Sequence, residues 1–174
     1  TLLAAQVNAA LGMPHNDPAS ALAARDKYMM RERFATAGVP VPTYKRYPLA
    51  GDPAEIARVV RDEIGYPCVV KPQWLAGSRG VIRANDETEF VAAFRRTSAI
   101  VLSEGESLAQ DALLVERYLP GVEVAVEGLV INGAFRLLAL FDKPDPLEGP
   151  FFEETIYTTP SRLPQTTQDQ ILAR

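Results

Sequence analysis

A lysine closes a run too apolar to be anything but a buried strand: Cys68-Val69-Val70-Lys71-Pro72. Val69 and Val70 are β-branched, which suits a pleated, packed surface. A buried strand cannot hide an unpaired ammonium, so the head of Lys71 has to meet an anion or water. A second short strand reads from Val81 to Ala84, and residues 73–80 between them are a loop ending Ala76-Gly77-Ser78-Arg79-Gly80. Small residues let backbone N–H groups approach a phosphate closely. No Gly-Lys-Ser/Thr precedes a helix here, so this is not a Walker loop. With strand on both sides it reads as a flap that lies over phosphates. The same text also suits an ordinary β-hairpin with a polar loop and a solvated lysine.

Composition narrows the class. In 174 residues, 47% are hydrophobic, enough for one domain or two small lobes with a real core. The net charge is −4 and the basic residues are dispersed, which leaves no footprint for nucleic acid. No apolar run approaches the roughly 18 residues of a membrane span. The run Leu137–Phe141 is bracketed by Arg136 and Asp142. No basic stretch followed by a long apolar core marks a signal peptide. The single cysteine, Cys68, excludes a disulfide within the chain, and a reducing cytoplasm is the expected location. Thr1–Leu11 reads as the middle of an amphipathic helix and Gln165–Arg174 as the start of another. Both ends therefore suggest a piece of a longer protein.

Between those ends, Asp17 before Pro18 is an N-cap, and a helix is expected over Ala19–Ala37, closed by Gly38 and kept closed by Pro40 and Pro42. Thr43–Tyr47 is a strand. Asp52-Pro53 opens a helix through Ile64, with Ile56, Val59, Val60 and Ile64 at helical spacing and Gly65 after it. Strand Tyr66–Lys71 and the flap follow. Asp86, with Glu89 three residues on, caps a helix through Arg96. Thr97–Asp111 is polar and carries no clear period. Leu113–Tyr118, Glu123–Ile131, Ala134–Asp142 and Phe151–Thr159 read as strands, with Asn132-Gly133 a strong hairpin signal. A βαβα half is thus followed by a mostly antiparallel half, which is an α+β pattern.

Two further stretches bear on chemistry. In Glu116-Arg117-Tyr118-Leu119-Pro120-Gly121-Val122-Glu123 a strand ends at a Pro-Gly connector and another follows. Such a connector exposes backbone groups that an adenine edge can pair with, and a carboxylate shortly after it can accept ribose hydroxyls. It also reads as a plain turn with solvated charges. Asp26-Lys27 sits on the first long helix and reads, alone, as a solvated face. His15, the only histidine, lies in a turn without partners, and Cys68 reads as a small core residue. Trp74, inside the flap, either covers a ligand or packs.

Taken in order, Arg25-Asp26-Lys27 with Arg31 and Ala37-Gly38-Val39-Pro40-Val41-Pro42, then Cys68–Pro72 with Gly77–Val81, then Leu113–Gly128, resemble the ATP-grasp superfamily. That superfamily includes biotin carboxylase, D-alanine–D-alanine ligase and the L-amino acid ligases. The resemblance runs from about Leu11 to Thr159. It implies an ATP-grasp fold fragment in which two α+β lobes enclose a nucleotide cleft. Residues 1–18 would end a preceding N-terminal domain, 19–112 form the small lobe with its phosphate flap, and 113–174 begin the large lobe.

The resemblance also implies roles. Lys27 and Lys71 match the two nucleotide lysines, and Gly77, Ser78, Arg79 and Gly80 the flexible phosphate flap. Glu116 and Leu119 match the hinge whose backbone reads adenine, lined by Arg117 and Tyr118. Glu123 matches the ribose carboxylate. Lys143 lies about where some members place another basic residue. Asp142–Pro164 is most similar to the amino acid ligase branch, where Glu153, Glu154 and Thr155 begin a strand facing the acceptor pocket. The superfamily's Mg²⁺ ligands would fall beyond residue 174, so no metal ligand is assigned here. The implied cofactors are ATP and Mg²⁺, and the implied partners are a small carboxylate and an amine, with a homodimer common in the family. The activity implied is an ATP-dependent C–N ligase working through an acyl phosphate. The chain alone would lack activity without its metal ligands. The alternative is a nucleotide-binding module of the same fold without catalysis.

Overall fold

The computed structural model describes residues 1–104, 111–153 and 155–173. In chain order the elements are α1 (Leu2–Ala10), α2 (Pro18–Ala23), α3 (Lys27–Thr36), β1 (Tyr44–Pro48), α4 (Pro53–Glu63), β2 (Cys68–Pro72), β3 (Ile82–Ala84), α5 (Glu87–Ser103), β4 (Ala112–Arg117), β5 (Val124–Ile131), β6 (Ala134–Asp142) and α6 (Gln165–Leu172). They fall into two compact units, Thr1–Leu119 and Pro120–Arg174. The change of sequence texture at Leu113 does not mark that division, because β4 belongs to the sheet of the first unit.

In the first unit the sheet order is β1-β4-β2-β3, with antiparallel pairing throughout. β4 enters between β1 and β2, both of which come earlier in the sequence. Its alternation sorts the faces. Leu113 and Val115 of β4 join Cys68 and Val70 of β2 in a core with Ile56, Val60, Phe90 and Phe94 of α4 and α5. Leu114, Glu116, Val69 and Lys71 therefore lie on the other face, away from those helices. Cys68 is a core residue as expected, and burial pushes its thiol up to about 12.

Helix ends follow their caps. Asp17 accepts from Ser20 N, Asp52 from Ala54 N, and Asp86 from Glu89 N, each within 2.9–3.0 Å. The single helix expected over Ala19–Ala37 is instead two. The chain breaks at Ala24-Arg25, and Asp26 caps α3, its Oδ1 accepting from Tyr28 N (2.8 Å) and Met29 N (3.0 Å). An aspartate gains more from bonding free N–H groups at a helix start than from an interior position. Asp26 is buried, so the solvated face expected for Asp26-Lys27 is corrected too. Helix α5 also runs past the expected end at Arg96. Phe90, Ala93, Phe94, Thr97 and Val101 keep one buried face through to Ser103. The unread segment beyond it includes residues 105–110, outside the described set.

In the second unit β5 and β6 form a hairpin. Its turn residues Asn132 and Gly133 have φ of 50° and 80°, the left-handed pair that a two-residue turn requires. The strand expected over Phe151–Thr159 is not formed among the described residues. A bridge between Thr158 and Asp142 takes its place, and Glu154 of that call lies outside the described set. Asp142 ends β6, and Pro144 two residues on has no N–H to continue the ladder. No helix among the described residues is long and apolar enough to cross a membrane.

Phe90 has no exposed surface, whereas Val130 is 71% exposed. Phe90→Ala is expected to lower the unfolding free energy by about 3–5 kcal/mol, and Val130→Ala by less than about 0.5 kcal/mol, in urea titrations.

Candidate functional site

On the sheet face away from α4 and α5, one carboxylate is held by two cations. Glu116 in β4 is 3% exposed. Arg31 Nε donates to its Oε1 at 2.5 Å and Arg31 Nη2 to its Oε2 at 3.2 Å, a forked pair reaching in from α3. Lys71 Nζ donates to Oε2 at 2.5 Å from the neighbouring strand β2. The β2–β4 register sets Val69 opposite Glu116 and Lys71 opposite Leu114, so Lys71 and Glu116 are diagonal neighbours. Burial pushes the Glu116 carboxyl up. The Lys71 charge and the hydrogen bonds from Arg31 and Lys71 outweigh that, and its pKa lies below the ordinary value.

Lys27, one helical turn before Arg31, stands beside this group. Its Nζ donates to Leu75 O at 2.5 Å, and its backbone N donates to Gln73 O at 3.1 Å. Trp74 Nε1 donates to Asp26 Oδ2 at 2.9 Å. Three hydrogen bonds thus clasp residues 73–75 to the start of α3, which shows Trp74 packing as part of that clasp. Burial, then the positive charge of Lys71, pushes the Lys27 ammonium below its ordinary pKa, against the pull of Glu116 and Asp26. Two ammonium groups that repel each other, beside a carboxylate already engaged by arginine, suit a polyanionic ligand.

The flap begins just after the clasp. Ser78, at φ 53°, takes a left-handed conformation that is rare without glycine. Gly80 has φ 74°, and a Cβ there would come within 3.0 Å of Pro72 Cγ. Gly77 and Arg79 are exposed. The far end of the flap is tied to α5. Thr97 Oγ1 donates to Gly80 O at 3.0 Å, and Arg79 Nη1 pairs with Glu104 Oε1 at 2.9 Å.

A sequence model of the ATP-grasp domain matches residues 64–174. This chain belongs to the ATP-grasp family. Among curated proteins it is 30% identical over 164 residues to alanine–anticapsin ligase of Bacillus subtilis strain 168, covering 86% of this chain and 33% of that protein. It is 32% identical over 171 residues to D-alanine–D-alanine ligase of Desulforudis audaxviator strain MP104C, covering 92% and 52%. The crystal structure of L-amino acid ligase from Bacillus licheniformis superposes with a TM-score of 0.79 at 27% identity, covering 97% of this chain and 39% of that one. The chain thus spans about a third to a half of the relatives it matches.

In this ATP-grasp chain the structure brings Lys27, Lys71 and Glu116 together and sets Gly77, Ser78, Arg79 and Gly80 in the loop after β2. The other residues singled out from the sequence make different contacts. Arg117 shares the Leu113 face of β4, and its Nη1 donates to Ile64 O at 3.1 Å across Gly65. The Tyr118 ring lies under the Arg83 guanidinium, 4.1 Å from it. Leu119, at the end of the first unit, is exposed. Glu123 belongs to the second unit, where it pairs with Lys143. Among the described residues, no group of three or more His, Cys, Asp or Glu side chains is placed to hold a metal ion. His15, exposed, has Nδ1 within 2.9 Å of Asn16 O, its chain neighbour.

Four partners were not singled out from the sequence: Arg31, Asp26 as a cap, Thr97 and Glu104. For Arg31 the available signal was its position four residues after Lys27, on the same helix face. Thr97 and Glu104 lay in the segment that showed no period.

Glu116 has a pKa depressed from 4.5 in the folded chain. Its ionised contacts therefore stabilise the fold above the unfolded value, and that contribution is lost as pH falls from there through the lower folded value. In urea midpoints measured from pH 7 to pH 3, wild type is expected to exceed Glu116→Gln at neutral pH. The gap should close in the acid range.

Proposed function

We propose that this chain is the ATP-binding part of an ATP-dependent carboxylate–amine ligase that acts through an acyl phosphate, most similar in branch to the amino acid ligases. The observation that carries this reading is the pair Lys27 and Lys71 beside a carboxylate already neutralised by Arg31. The named activities of alanine–anticapsin ligase, D-alanine–D-alanine ligase and the L-amino acid ligase support it. The single cysteine, buried and inert, fits a cytoplasmic enzyme.

Joining a carboxylate to an amine in water fails unaided, because the carboxylate is a poor electrophile with no leaving group. ATP, with Mg²⁺, would supply its γ-phosphoryl group to one carboxylate oxygen with release of ADP; the amine nitrogen would then bond to the acyl carbon as phosphate leaves and the nitrogen gives up a proton to solvent. The residues here fit the anionic end of that chemistry. Lys27 and Lys71 would hold phosphate oxygens and offset the charge that develops on them. The Gly77–Gly80 flap would present backbone N–H groups and exclude water. Leu119 and its neighbours would meet adenine, and Glu123 the ribose. No side-chain nucleophile is needed, in keeping with the inert settings of Cys68 and His15.

One hydrogen bond to a charged group is worth about 1.5–3 kcal/mol, so Lys71→Ala is expected to weaken ATP binding about ten- to a hundred-fold. The titration follows Trp74, the only tryptophan, with and without Mg²⁺, and calorimetry checks it. Arg31 keeps Glu116 paired in that variant, so the fold is expected to persist. Unchanged affinity would take Lys71 out of the site. Tight binding without amino-acid-dependent release of ADP and phosphate by the whole protein would point to a nucleotide-binding module without catalysis.

A further inference from the structure

Glu116 has two cationic partners where charge balance asks for one. We infer that Arg31 is a positioning residue for the nucleotide site: it neutralises Glu116 from the α3 side and so leaves the charge of Lys71 for an anionic ligand. This rests on the nucleotide-binding reading proposed above.

The geometry divides the work between the two cations. Arg31 engages both carboxylate oxygens, and Lys71 engages Oε2 alone. A guanidinium presents a rigid planar fork that matches a carboxylate edge to edge, whereas an ammonium has three donors around a point charge. One of the Lys71 donors is spent on Glu116, which fixes where Nζ sits, and two remain. The three groups together keep one net positive charge. Side-chain exposure is 4% for Glu116 but 16% for Lys71 and 21% for Arg31, so both cations border solvent while the anion does not.

Stability alone does not call for this arrangement. A buried ion pair is often no better for folding than apolar packing of the same volume. One cation would also suffice to satisfy the carboxylate. Without Arg31, Lys71 would become the sole counter-ion of Glu116, the net charge of the three groups would vanish, and only Lys27 would be left to face a ligand. The approach of Arg31 is itself fixed, because Asp26 caps α3 and Trp74 ties that cap to the strand that bears Lys71.

The test titrates ATP with Mg²⁺, and separately inorganic tripolyphosphate, into wild type, Arg31→Met and the double variant Arg31→Met/Glu116→Gln. Arg31→Met is expected to weaken both ligands about ten-fold or more, since a whole unit of charge is lost in a partly buried site. The double variant also removes the carboxylate, so Lys71 is uncommitted again, and affinity should return to within about three-fold of wild type. Wild-type affinity in Arg31→Met overturns the inference, because Arg31 would then serve the fold alone. A double variant as weak as Arg31→Met also overturns it, because Arg31 would then touch the ligand itself. If thermal melts show Arg31→Met unfolded at the assay temperature, Arg31→Lys takes its place. It keeps a charge without the fork, and is expected to bind between wild type and the weakened level. Failure of wild type to bind either ligand defeats the nucleotide reading and this inference together, a pattern distinct from a silent Arg31→Met.

Discussion

A carboxylate buried to 3% exposure, with an arginine and a lysine on it, governs the first unit of this chain. Burying an ionised group without partners costs far more than a small domain's whole stability margin. Glu116 therefore tolerates few arrangements. Its partners come from 85 and 45 residues away in sequence, so satisfying it brings α3, β2 and β4 to one place. The contact is better understood as a specification than as a source of stability. An apolar cluster could hold the same elements, but would not leave charged donors at that spot.

From there the face of the sheet is decided by alternation. Cys68, Val70, Leu113 and Val115 turn toward α4 and α5 and make the dry side. The residues between them turn the other way, and the last of these on each strand are Lys71 and Glu116. One turn of α3 separates Arg31 from Lys27, which places a second ammonium next to the first. The clasp of residues 73–75 onto Asp26 and Lys27 then fixes where the flap starts, and Thr97 with Glu104 fixes where it ends. The loop is thus anchored at both ends and exposed at Gly77 between them.

What the sequence made legible was local. Asp17, Asp52 and Asp86 marked helix starts because a cap acts within three residues. Asn132-Gly133 marked the hairpin because two left-handed residues in succession suit little else. Lys71 stood out because burial and charge conflict within a single strand. The losses were non-local. Asp26 reads locally as helix interior, and the contact that ties its second oxygen to the fold comes from Trp74, 48 residues on. Helix α5 hid its last two turns because polar residues interrupt a face that Thr97 and Val101 continue. β4 read as the start of a new half, and only pairing shows that it completes the first sheet. Arg31 stood within the very motif that suggested the family, yet nothing local says that its partner is Glu116.

The same cluster explains why such a site is costly to a free protein. Lys27 is partly desolvated and repelled by Lys71, and the Leu75 carbonyl it rests on is neutral. Arg31 adds a third cation within reach of the one buried glutamate. Stored repulsion of this kind is typical where a fold gives up stability to hold groups ready for a ligand. On the reading proposed above, a chain of phosphates relieves that repulsion as it binds. Part of the binding energy is then already present in the free protein, as like charges held close by a carboxylate that cannot leave.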